Sequence, residues 1–332
     1  MDKLINYLLS AIPLGMTFLY GSTGEIITEK AGHLNLGIPG IMCVGAAGGC
    51  FALQLMSVNA ALPGVLVVII ALLASFLCAA MMGLIYSFLT VSLHANQNVT
   101  GLALTTFGVG TMKFIMSKIT VMAAETETRY LYAIKYFRFP FAESTTLKYC
   151  GIMVFLAIAI AIVTSYVLNR TRVGLHLRAV GENPLHLRAV GENPATADAM
   201  GINVTAYKYV ATLIGSGIAG LGGLFYVMDY AGSQEAYLGI SALGWLSIAL
   251  VIFTLWKPVV SIFGSALFGM LYVAGAYIPS IKALHVSMKA TPILDMLPYV
   301  VTIIVLVITS ATKKKENQPP AALGTNYYRE DR

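Results

Sequence analysis

Between Lys30 and Lys113 the chain carries no Asp, Glu, Lys or Arg. Soluble globular domains average about 25% charged residues, so a run of that length cannot form the surface of one. A charge at the centre of a membrane-spanning helix costs about 2.5–3.5 kcal/mol, and lipid is the solvent that selects against charge so thoroughly. The rest of the chain agrees: 58% of its 332 residues are hydrophobic and 11% are charged, with a mean hydropathy of +0.78. The sequence reads as an all-α, polytopic transmembrane helical bundle.

A helix crosses hydrocarbon with about 20 apolar residues. Stretches of that kind lie near residues 5–24, 34–54, 63–91, 99–117, 149–168, 208–229, 238–256, 258–278 and 293–311, which predicts about eight to ten spans. The third is long enough to tilt strongly or break. Gly and Pro in the first, second and eighth allow broken or re-entrant elements where those line a cavity. Lys3 before an apolar run suggests a signal peptide, but Asp2 weakens the positive start and Gly24-Glu25-Ile26 is no cleavage site. The run is read as the first span.

Short loops rich in Lys and Arg stay cytoplasmic. Arg170, Arg172, Arg178, Arg188 and Lys208 mark a central loop at about residues 169–207, and Lys313, Lys314 and Lys315 open a polar tail over 312–332. Both are expected inside, the tail flexible; an even number of stretches separates them, as this requires. The segment 116–148 then falls outside despite Lys118, Arg129, Lys135, Arg138 and Lys148, and nine spans put the amino terminus outside as well. The formal charge of +6 suits anionic membrane lipid and requires no nucleic acid.

No GxxxxGK[ST] phosphate loop, nucleophile elbow, HExxH or paired carboxylates in a plausible cleft occur, so no enzyme is expected. Cys43, Cys50, Cys78 and Cys150 are too dispersed for a disulfide framework or a zinc site. Residues 215–220 spell GxGxxG inside an apolar span, without the strand and acid that a dinucleotide site needs. They predict close helix packing, as do Ala71, Ser75, Ala79 and Gly83 at four-residue spacing and Gly45 with Gly49. Ion-coupled carriers use intramembrane acids and His; these are nearly absent away from the span ends, which favours an external energy source over a secondary transporter.

The decapeptide LHLRAVGENP fills residues 175–184 and recurs at once at 185–194. From there, RAVGENPATADAMGINVTAYKY at 188–209 resembles the cytoplasmic coupling segment of bacterial ABC importer permeases of the branched-chain amino acid and ribose superfamily. EKAGHLNLGIPGIMCVGA at 29–46, ANQNVTGLAL at 95–104, ALGWLSIALVIFTLWKP at 242–258 and MLPYVVTIIVLVI at 296–308 are similar to its simple sugar and nucleoside branch. The resemblance implies a permease domain over residues 1–311 in the bacterial cytoplasmic (inner) membrane. It also implies a second permease subunit, expected to be a different paralogue, a substrate-binding lipoprotein, and cytoplasmic ABC ATPases that hold ATP and Mg. The chain itself is expected to bind no cofactor and no metal. The implied cargo is a nucleoside, purine nucleosides first, with riboflavin or a simple sugar as the alternative.

In such permeases the coupling segment docks a short helix in the ATPase. Asn193 and Pro194 make a helix start, Asn as cap and Pro in the first turn. This sets the coupling helix at about 195–200, beginning at Ala195 and ended by Gly201, with Arg188, Glu192 and Asp198 as polar contacts. One decapeptide copy is extra against the family pattern: a tandem duplication carried as a loop bulge, or an assembly artefact. Asn35, Asn96, Gln97, Asn98 and Thr106 are candidate path-lining groups, since polar side chains near apolar spans face a cavity or another helix. Tyr226 and Trp245 either stack on a flat ligand ring or serve packing. Pro39 stands where the family's usual acid is expected, and Thr105 where it has Asn.

Overall fold

The computed structural model describes residues 2–57, 62–127, 129–138, 151–181, 202–233, 235–280, 291–312 and 319–326. Each of the predicted apolar stretches becomes one helix. These are α1 (Asp2–Lys30), α2 (Ile38–Met56), α3 (Gly64–Ser87), α4 (Gln97–Thr126) and α5 (Ile152–Arg170), then, after a short α6 (Arg172–Gly181), α7 (Val204–Phe225), α8 (Ile240–Phe253), α9 (Pro258–Tyr277) and α10 (Leu297–Thr312). Local chemistry sets several ends. Asn96 caps α4 by accepting from Val99 N–H at 3.1 Å, Asn203 caps α7 through Ala206 N–H at 3.0 Å, and Pro258 opens α9, where a missing N–H costs nothing.

Among the described residues, eight helical segments are long and apolar enough to cross a membrane. Helix α1 is not one of them; it runs through the middle of the bundle, between α7, α8, α9 and α5. Its Thr17, Ser22, Thr23, Glu25, Thr28 and Glu29 are all buried, so these polar side chains face protein. At the rim the pattern inverts. Leu73, Leu77 and Met81 of α3, Phe155 and Val163 of α5, and Ile303 and Val307 of α10 are exposed, as lipid-facing apolar surfaces are. Of the α2 span 83% is buried, against 11% for Thr291–Ile308, which separates the centre from the edge.

The small residues do what their spacing predicts. Gly220 of α7 meets Gly45 of α2 and Ala79 of α3, while Gly215 meets Gly24 of α1; Ser75 Oγ donates to Gly220 O at 3.1 Å. A side chain at these glycines would collide with neighbouring backbone or, at Gly220, with the Ala79 methyl, so four helices approach more closely than larger residues allow. The breaks that Gly and Pro allow in the first, second and eighth stretches do not occur in the described helices. Helix α1 continues through Pro13, and α2 and α9 are continuous, and glycines of all three pack against neighbouring helices. The long third stretch also stays whole, widening only into a π-turn at Phe88–Ser92.

Candidate transport path and coupling end

One end of the bundle gathers the described flanks of the central loop. Helix α6 contains most of the first decapeptide copy. Its Gly181 packs against the backbone of Lys30 at the end of α1, and Gly181 O accepts from Ala322 N–H at 3.0 Å. Residues 319–326 therefore lie across this end and are not a free tail. Gln97 Nε2 donates to Thr325 O at 3.0 Å, Asn326 Nδ2 donates to His94 O at 2.7 Å, and Ala322 is buried. Arg188, Glu192, Asn193, Pro194, Ala195, Asp198 and Gly201 lie outside the described residues.

Beneath this strap sits a buried polar knot. Glu25 Oε1 accepts from Asn35 N–H at 3.0 Å, and Trp256 Nε1 donates to the Glu29 carboxylate. Tyr86 Oη donates to Leu34 O at 2.7 Å. Thr212 donates to Lys208 O at 2.9 Å, so the proton between Thr212 and His33 belongs to His33 Nδ1, 3.0 Å away. Burial first, and the Lys208 ammonium second, push the His33 imidazole well below its usual range. Lys208, read from sequence as a loop marker, is itself buried.

Several candidate path residues are engaged in this end. Asn35 Oδ1 accepts from Gly37 N–H at 2.9 Å, folding the turn between α1 and α2. Gln97 Oε1 accepts from Leu34 N–H at 2.8 Å, and Asn96 is the α4 cap. Asn98 and Thr106 are exposed on the outer face of α4. Tyr226 and Trp245 are half-buried and apart from that group; Tyr226 stacks on Tyr230 with ring centroids 5.8 Å apart near the opposite end of α7.

The family described as branched-chain amino acid transport system / permease component matches residues 5–186 and 185–306. The chain belongs to this family. The permease is 30% identical over 334 residues to the nucleoside ABC transporter permease protein NupC of Lactococcus lactis subsp. cremoris, covering 98% of this chain and 96% of that one. It is 28% identical to the guanosine ABC transporter permease protein NupQ of Bacillus subtilis over 90% of this chain and 89% of that one. The ABC transporter permease protein TsgC13 of Haloferax volcanii matches at 31% identity over 79% of this chain and 74% of its own. No solved structure matches the permease.

The two matched segments of the permease meet at the junction of the repeated decapeptides, as expected if both copies answer to one stretch of the family pattern. Sequence reasoning missed the polar knot. Its one visible signal was the acid pair Glu25 and Glu29 at helical spacing beside an apolar run. It also missed Asp229, a buried carboxylate just past the carboxy-terminal end of α7 whose backbone carbonyl accepts from Arg138 Nη2 at 2.8 Å. A hollow of about 710 Å³ opens between α5, α6 and α7, lined by Ile27, Leu156, Ile160, Val163, Val210 and Ile214 among others. Its nearly apolar wall offers a polar cargo almost nothing to bind. Among the described residues no cluster of His, Cys, Asp and Glu is arranged to hold a metal ion.

Proposed function

We propose that this permease is the membrane subunit of an ABC importer that takes up nucleosides, purine nucleosides first. The observation that carries the reading is the end-to-end similarity to a nucleoside permease, 98% of this chain against 96% of that one, with a guanosine permease matching over 90% of this chain. In this reading the end bearing α6, the strap and the polar knot faces the cytoplasm. The segment around residues 188–201 docks on an ATPase that holds ATP and Mg, and this chain hydrolyses nothing. A second permease subunit completes the path, and a binding lipoprotein delivers cargo from outside.

The test is ATP-driven uptake of labelled guanosine by the permease reconstituted with its ATPase and binding protein. Unlabelled nucleosides, riboflavin, ribose and leucine serve as competitors. Competition by nucleosides alone is the expected result. Accumulation of riboflavin or ribose without guanosine overturns the cargo, and uptake that persists without ATP overturns the ABC reading.

A further inference from the structure

The apolar hollow between α5 and α7 has a defined floor, roof and depth. Ile27 of α1 lies at its base. Helix α6 closes one end: Gly174 packs on the backbone of Val167 and Leu168 in α5, and His176 Nδ1 and Tyr207 Oη of α7 lie 2.9 Å apart. The wall runs from Leu156 to Leu168 on α5 and from Ala206 to Ile218 on α7, about 18 Å on each at 1.5 Å per residue. Both helices belong to segments long and apolar enough to cross a membrane, and Val163, Val210 and Ile214 stay exposed along the opening. The hollow thus opens sideways toward the bilayer, over a depth close to one leaflet of a hydrocarbon core about 30 Å thick.

Width and charge select the occupant. A volume of about 710 Å³ over that depth gives a mean cross-section of about 40 Å², against about 80 Å² for a helix about 10 Å across. A whole partner helix does not fit, whereas a hydrocarbon chain, about 4–5 Å wide when carbons pack at 3.5–4.0 Å, does. Water is a poor filler, because the Tyr207 hydroxyl is engaged with His176 and apolar cavities stay dry. The rim is cationic. Arg170 follows the wall residue Leu168 by two positions, Arg172 directly precedes Val173, and both are exposed. Helices α5, α6 and α7 contain no Asp or Glu, so nothing in the walls opposes an anion. A short basic helix over an apolar surface is the pattern that seats at an anionic lipid interface.

We propose that this hollow is a phospholipid site: it takes acyl chains from the leaflet bordering the coupling end, with an anionic headgroup held by Arg170 and Arg172. The lipid fills the gap between the two helices that flank the central loop and rests on α1. A topology signal alone accounts for arginines at this end of α5, but it requires no hollow of leaflet depth beside them. The proposal is independent of the cargo.

The experiment extracts the full complex in mild detergent, washes away bulk lipid and measures the phospholipid retained per permease by mass spectrometry. An anionic phospholipid is expected to stay with the wild type. Ala159→Trp, which fills the hollow from its α5 wall, is expected to lower retention at least fivefold, while Ile162→Trp, exposed on the same helix outside the hollow, keeps it. Arg170→Gln combined with Arg172→Gln is expected to lower the preference for anionic over zwitterionic phospholipid at least tenfold. Equal retention by wild type and Ala159→Trp overturns the site, and an unchanged preference in the double variant overturns the headgroup contact. Should Ala159→Trp fail to assemble, as judged by size exclusion, a benzophenone amino acid in place of Val210 decides. Illuminated after the same wash, it is expected to form an adduct with phospholipid, and the same group in place of Ile162 to form none. An adduct with a second permease subunit, or no adduct at position 210, overturns the lipid site.

Discussion

The Trp256 indole donates its N–H to the carboxylate of Glu29, joining positions 227 residues apart. Both side chains are buried, and the turn that delivers the indole is itself costly. Leu255 and Trp256 both have φ of 55°, in the left-handed region that costs a non-glycine residue roughly 1–2 kcal/mol. Thr254 and Ser261, whose hydroxyls lie 2.8 Å apart, brace it on either side. The end of α8 is thereby fastened to the end of the central helix.

Replacing Trp256 by Phe keeps most of the volume and removes the donor. A buried acceptor left unpaired costs about 1–3 kcal/mol, more for a charged group. The apparent melting temperature of the detergent-solubilised permease is expected to fall for Trp256→Phe and further for Trp256→Ala, which also opens a cavity worth about 3–5 kcal/mol. A Phe variant as stable as the wild type removes any energetic role for the bond.

Gly220 is a second sensitive point, since its missing side chain admits Gly45 and Ala79. Overpacking typically costs about 1–3 kcal/mol, and here the nearest obstacle is the Ala79 methyl, with the Ser75 and Gly45 backbone behind it. Gly220→Val is expected to lower the amount of monodisperse protein recovered by size exclusion, whereas Gly110→Ala, in open space, leaves recovery unchanged. Equal recovery of both variants would refute the close-packed seam.

Removing residues 319–332 takes away the partners of Gln97 and His94. Amide hydrogen exchange is expected to rise across the turn before α4 and near Gly181, while the centre of α7 stays protected. Unchanged exchange at residues 93–98 after the deletion shows that the strap stabilises nothing there.

The turn between α1 and α2 should make stability depend on pH. His33 is held below its usual range by burial and by Lys208, with Thr212 and Tyr86 as its other neighbours. In the unfolded chain it takes up a proton near pH 6.5, so below that the unfolded state binds more protons than the folded one. Stability is then lost as pH falls from about 6.5 toward the folded value, by at most about 1.4 kcal/mol per pH unit for one group. Melting curves from pH 7.5 to 5.5 are expected to fall more steeply for wild type than for His33→Gln; parallel slopes overturn the assignment.

The spans were legible because lipid enforces a simple rule: a helix of sufficient length must be apolar wherever it meets hydrocarbon. The uncharged run after Lys30, the small-residue spacings of α2, α3 and α7, and the family blocks followed from composition and order alone. Asn96 was visible only as a polar residue before an apolar run. Whether it lined a route or capped a helix depended on where α4 began, which hydropathy reports no better than to a few residues. The strap was hidden for a related reason. Residues 319–326 have the composition of a loose tail, and their order comes from donors and acceptors supplied by Gly181, His94 and Gln97 far away in the chain.

The sequence by itself determined that the protein is a bundle of membrane-crossing helices of this permease family, because hydrophobic length and local pattern are read one segment at a time. Only the tertiary structure decided that α1, the most polar of these helices, stands at the centre with Glu25 and Glu29 buried, while Lys113 faces outward. Which side of a helix meets protein, lipid or water is fixed by neighbours distant in sequence, and no periodicity within the helix names those neighbours.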